Sequence, residues 1–193
     1  MHYSQLLAIS TFALLSTAIP TPADLTPRAC TIQLPLDYQQ LREANGSETY
    51  MHTNDFSVGQ LDGNDNNTDT IVRFDRIPDG SYGCQLNVKF ASTDGIASSG
   101  NTQVNVYTVA ENVTSVDTYL TYHTYGEPSP VGSMWGTGTV GDATVVLNSQ
   151  SCKGQLTFLV RIASDDKAGS VAFSDSSAPD ASVLNGFFMT YNC

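Results

Sequence analysis

The chain has 193 residues, enough for one domain with a sizeable core, and 40 % of them are hydrophobic against 14 % charged. Its formal charge of −11, from 19 acidic and 8 basic side chains, excludes a nucleic-acid or anionic-lipid surface, because those partners require clustered Lys and Arg. Ser and Thr together number 41 and Asp outnumbers Glu 15 to 4, which favours strands, turns and loops over helices.

The first segment reads as an address. Residues 5–18 (QLLAISTFALLSTA) hold an uncharged apolar run from Leu6 to Leu15, too short to span a bilayer and suited to the centre of a secretory signal peptide. Ser16, Thr17 and Ala18 supply the small residues of a cleavage site, so residues 1–18 are assigned as the signal peptide. The amino terminus alone provides the positive end, since Met1-His2-Tyr3-Ser4 has no Lys or Arg. Residues 19–29 form a Pro-rich leader or propeptide, and a single β domain is expected over 30–193. No later apolar stretch reaches membrane length and no hydrophobic tail precedes Cys193, so neither a membrane span nor a lipid anchor is expected.

Asp37 to Gly46 is the one helical candidate, with Asp37 as cap, Gln40 three residues on and Gly46 as stop. Strands follow by period-two alternation. In Tyr82–Phe90 the even positions are Tyr, Cys, Leu, Val and Phe, and the odd ones are Gly, Gln, Asn and Lys. Similar runs are Thr70–Asp75, Thr102–Val109, Thr144–Asn148, Leu156–Ile162, Ser170–Ser174 and Phe187–Tyr191. Turn dipeptides separate them: Asp79-Gly80, Asp94-Gly95, Ser99-Gly100, Gly141-Asp142 and Asn185-Gly186. Many short strands at this spacing predict an all-β fold, an antiparallel, jelly-roll-like β-sandwich with at most one short peripheral helix.

Three sequons, at Asn45, Asn66 and Asn112, lie among turn residues and predict N-glycosylation. Cys30, Cys84, Cys152 and Cys193 predict two disulfides in an oxidising compartment. Their spacing is far too wide for a zinc site. Three connectivities are open; first and last strands often run side by side in a sandwich, which favours Cys30–Cys193 with Cys84–Cys152.

The stretch TIVRFDRIPDGSYGCQLNVKF (Thr70–Phe90) resembles the centre of a family of secreted fungal proteins named for the C-terminal domain of the "ubiquitin-binding" protein But-two. Further similar words follow the family's order: Cys-Thr-Ile at 30–32, SSGNTQVNVYTV at 98–109, Gly136-Thr137, SCKGQLTFLV at 151–160, AGSVAF at 168–173 and GFFMTYNC at 186–193. The resemblance covers residues 30–193, with residues 110–131 departing from the pattern. It implies a secreted β-sandwich and brings no catalytic residues. Ubiquitin binding is not carried over, since ubiquitin is chiefly cytosolic and nuclear whereas this chain carries a secretory leader.

Past the leader only His52 and His123 remain as histidine bases, and neither a Gly-x-Ser-x-Gly elbow nor His-Glu-x-x-His occurs. His52 reads as a surface strand position. Asp165-Asp166 before Lys167-Ala168-Gly169 read as solvated carboxylates of a hairpin loop rather than a glycosidase pair. Asp62, Asn64 and Asn66 have the alternate spacing of calcium ligands. Asn67 stands where such a loop needs Gly, however, and Arg73 where it needs Glu, so residues 62–69 read as a glycosylated solvent loop. No metal or other cofactor is expected. Tyr119, Tyr125 and Trp135 are the candidate carbohydrate contacts, around the loop GEPSPVG at 126–132, because aromatic rings on a sandwich face stack on sugars. Trp135 also suits the core.

The sequence thus predicts a secreted, extracellular or cell-wall binding or structural domain whose ligand is unknown, with a wall polysaccharide or an extracellular protein as the candidate partners and catalysis not expected. A carbohydrate-binding module for wall polysaccharide is the alternative, with a hydrolase behind it.

Overall fold

Strands account for all regular structure in the computed structural model over the residues it describes, which are 29–44, 47–62, 65–90, 95–109, 134–139, 145–164, 166–175 and 184–193. In chain order these are β1 (Thr31–Gln33), β2 (Asp37–Ala44), β3 (Ser47–Thr53), β4 (Asp55–Leu61), β5 (Asp65–Asp75), β6 (Cys84–Lys89) and β7 (Ala97–Gly100). Then follow β8 (Gln103–Thr108), β9 (Met134–Thr139), β10 (Val145–Gln150), β11 (Gln155–Ile162), β12 (Gly169–Ser174) and β13 (Gly186–Tyr191). A four-stranded sheet runs β1-β13-β6-β10. The nine-stranded sheet runs β7-β12-β4-β5-β11-β8-β9, with β2 added on β5 and β3 on β2. Every pairing is antiparallel.

The two sheets enclose one core, to which alternate residues of each strand contribute. Cys84, Leu86, Val88, Phe187 and Met189 face it from the smaller sheet. Phe56, Val58, Val72, Phe74, Val104, Val106, Phe158, Val160, Val171 and Phe173 face it from the larger. Phe56 stacks on Phe173 at 4.6 Å and meets Phe187 edge-on at 5.0 Å, so the aromatic contacts cross between the sheets. Such pairs add about 0.5–1.5 kcal/mol each beyond the area they bury. On the opposite face of the larger sheet, Leu41, Ile71, Val109 and Leu159 form a second buried cluster.

The bridges are Cys30–Cys193 and Cys84–Cys152. β1 and β13 lie side by side with Thr31 opposite Tyr191, which brings Cys30 against Cys193. Cys84 opposes Gln150, so Cys152 arrives two residues past the end of β10. Closing loops of 163 and 68 residues stabilises by about 4–5 kcal/mol apiece in the chain-entropy account.

Five expectations are corrected. Asp37–Ala44, expected as a helix, is β2. In a helix Tyr38 and Leu41 would share a face, whereas here Tyr38 enters the main core and Leu41 the second cluster. β2 hydrogen-bonds to β3 on one side and β5 on the other, and this pairing outweighs the few tenths of a kcal/mol per residue by which Gln, Leu, Arg and Ala favour helix. Residues 65–69 are the start of β5 rather than a solvent loop, with Asn67 and Asp69 each 4 % exposed. Asp166–Ala168 belong to no hairpin, because β11 and β12 pair with different neighbours. Ser99-Gly100 closes β7 instead of turning between paired strands, although Gly100 does hold a left-handed φ of +63°. Tyr82, counted with a buried strand face, precedes β6 and is exposed.

Candidate functional site

An open groove of about 430 Å³ crosses the larger sheet where β5, β4, β12 and β7 lie in register. Thr68 opposes Gly59, Gly59 opposes Ser170, and Ser170 opposes Ser99. Every member of this row is small, and that lowers the floor. Gly59 and Gly169 line it together with Ser57, Gln60, Leu61 and Asn66. Gly169 has no room for a side chain, since a Cβ there would collide with the Asn101 carbonyl. Among the described residues lining the groove none is charged, in a chain of net charge −11. Its exposed apolar element is Leu61, 55 % accessible.

The neighbouring segment is held from beneath. Gln60, 9 % exposed, donates through Nε2 to the carbonyls of Ser164 (2.5 Å) and Lys167 (2.8 Å). The Ala168 N–H donates to Asp62 Oδ1 at 2.8 Å, and the Asn101 N–H to the Ala168 carbonyl at 3.0 Å. Asn66 enters the groove through a bulge. Gly59 pairs with Thr68 and Leu61 with Asp65, so β5 spends one residue more than β4 over this interval. Asn66 takes a φ of +50°, a conformation Asn tolerates better than most non-glycine residues. The Asn66 sequon is therefore an exposed strand bulge, not a turn.

A second polar centre joins the sheets. Tyr38 of β2 donates its hydroxyl to Asp175 Oδ2, just past β12. Burial raises the Asp175 pKa to about 7, with Asp55 adding to the rise, while hydrogen bonds from Tyr38 and the Phe187 backbone act against it. Burial and then the Asp175 charge push the Tyr38 phenol well above its ordinary value. Asp175 Oδ1 lies over Gly186, which has a φ of +103° and no space for a Cβ. The arrangement acts as a seam between β2, β12 and β13.

A third centre lies beside the second apolar cluster. Arg161 Nη2 bonds Asp69 Oδ2 at 2.6 Å, and the guanidinium sits 5.7 Å from the centre of the Tyr107 ring. Arg73 pairs with Asp37 at 3.2 Å on the same face. Cross-strand register brings these groups together: Ile71 stands between Gln39 and Leu159, and Leu159 opposes Tyr107.

Of the residues singled out from sequence, the four cysteines pair as favoured and Asn66 lines the groove. Asn45, Asn112, Tyr119 and Tyr125 lie outside the described residues. Trp135 is on β9 at a register shift, where Gly136 opposes Val106 and Met134 opposes Tyr107, so Trp135 is the bulged residue. The hydroxyl row and both polar centres were missed. Ser170 was visible as an outward strand position, but only the register of β7, β12, β4 and β5 aligns it with Ser99 and Thr68. Among the described residues no group of three or more His, Cys, Asp or Glu could hold a metal ion, and no helix is long and apolar enough to cross a membrane.

No protein-family model matches the chain, and no curated protein matches it.

Proposed function

We propose that this chain is a secreted, N-glycosylated β-sandwich that works outside the cell by binding an extracellular protein or a wall polysaccharide. The observation that carries the reading is the complete pairing of the cysteines: Cys30–Cys193 and Cys84–Cys152 leave no free thiol. Such bridges persist in oxidising compartments and are rare in the cytosol. The apolar run before Ala18, the acidic surface and the resemblance to the secreted fungal But-two-like family support the same reading. The test is the protein recovered from culture medium. N-terminal sequencing is expected to begin at Ile19 or beyond, and a retained Met1 overturns the export reading.

A carbohydrate-binding module is the second reading, and the bulge at Trp135 favours it, because bulges re-aim side chains and concentrate beside functional sites. Trp135→Ala separates the possibilities in a thermal melt followed by a glycan-array screen. A sugar platform loses binding with stability changed by less than about 0.5 kcal/mol. A core residue costs about 3–5 kcal/mol instead.

A further inference from the structure

We propose that the groove across β5, β4, β12 and β7 is the seat of the chain's own glycan, attached at Asn66. The inference rests on the N-glycosylation reading above and adds where the sugar lies. Asn66 opens a sequon with Thr68, and both residues line the groove. Attachment and docking surface are therefore one place. The bulge sets Asn66 at φ +50° beside the small-residue row instead of leaving it in the regular alternation of β5. From Thr68 the row continues through Gly59 and Ser170 to Ser99, three inter-strand gaps or about 14 Å. Its groups match a neutral sugar. Ser99, Ser170 and Thr68 offer hydroxyls to ring hydroxyls, Gly59 leaves space for a ring above the backbone, and exposed Leu61 offers an apolar surface to an N-acetyl methyl group. The described lining has no charge to desolvate. Tethering raises the local sugar concentration to the millimolar range, so contacts too weak to capture a free disaccharide suffice to hold an attached one.

The experiment uses the full chain secreted from a eukaryotic host with isotopic labelling. Glycopeptide mass spectrometry first reads occupancy at Asn66. Nuclear Overhauser contacts are then measured from the sugar protons to the side chains of Ser99, Ser170 and Leu61. Three forms are compared: the wild type, Thr68→Ser, and wild type trimmed by endoglycosidase to its first N-acetylglucosamine. Expected are contacts to all three side chains in the wild type and in Thr68→Ser, which keeps the sequon. Trimming is expected to abolish those to Ser99, the far end of the row. Asn66→Gln is expected to shift the amide resonances of Gly59 and Ser170 relative to the wild type, while removal of the Asn45 sequon leaves them in place. An occupied Asn66 with no contact beyond Thr68 overturns the seat and leaves the glycosylation reading intact. An unoccupied Asn66 overturns the seat and the assignment of that sequon.

Discussion

Tyr38 and Asp175 meet across 137 residues of sequence, the phenol of β2 donating to a carboxyl that follows β12. This contact ties the larger sheet to Gly186 and Phe187 of the smaller one, and burial of the Asp175 carboxyl, against the pull of the hydrogen bond itself, gives folding a pH dependence of unusual sign for a carboxylate. Asp175 binds its proton more tightly folded than unfolded, with a pKa raised from 3.8 to about 7. Its contribution is therefore fully present below about pH 4 and is lost as pH rises through about 7. Melts from pH 4 to pH 8 at constant ionic strength are expected to show a decline, worth up to a few kcal/mol, that is absent in Asp175→Asn. Parallel curves for the two proteins would refute this.

Gly186 is expected to resist substitution. Alanine there must hold a φ of +103° and place its Cβ on Asp175 Oδ1. Backbone strain of this kind costs roughly 1–3 kcal/mol before the collision is counted. Because the nearest obstacle is the Asp175 side chain, Asp175→Ala should relieve the worst of the collision, leaving the strain and the Phe173 ring 2.9 Å away. A double-mutant cycle by urea denaturation is expected to show Gly186→Ala costing less in the Asp175→Ala background. Simple additivity would contradict the geometry.

Asp69→Asn leaves Arg161 with a neutral partner at 17 % side-chain exposure, and a loss of about 3–5 kcal/mol is expected. Replacing the pair together, as Asp69→Leu with Arg161→Met, should cost much less, since no charge is left buried. Chemical denaturation of the three variants checks the order. An Asp69→Asn variant as stable as the wild type would show that the pair is solvated.

Reduction of the oxidised protein should release four thiols, two from each bridge. Cys84→Ser with Cys152→Ser is expected to lower the melting temperature by about 10 °C, from a loss of about 4 kcal/mol at roughly 2–4 °C per kcal/mol. A non-reducing peptide map that joins Cys30 to any residue but Cys193 would contradict the pairing.

The sandwich was legible wherever apolar residues alternate along a strand. Leu156, Phe158, Val160 and Ile162 of β11 and Cys84, Leu86 and Val88 of β6 alternate as the sequence suggested. β2 was not legible, because its apolar residues Tyr38 and Leu41 fall on opposite faces, with the polar Gln39 and Gln40 buried between them, so no alternation shows. β4 was overlooked although Phe56, Val58 and Gln60 alternate inward, since Gly59 between them reads as a break. The bridges were legible through the adjacency of first and last strands. The groove was not, for a row of Thr68, Gly59, Ser170 and Ser99 exists only once four separate strands have a common register. Likewise nothing in the local sequence around Asp69 names Arg161 as its partner.

The Cys30–Cys193 bridge holds the two ends of the domain 4.2 Å apart at the Cα atoms. A pull applied between Cys30 and Cys193 travels along the covalent sulfur link and bypasses both sheets. The 163-residue span that the bridge closes cannot be drawn out while the link is intact. Under such a load the domain would behave as a knot in a rope rather than a spring, keeping its faces in shape while the sulfur link takes the strain.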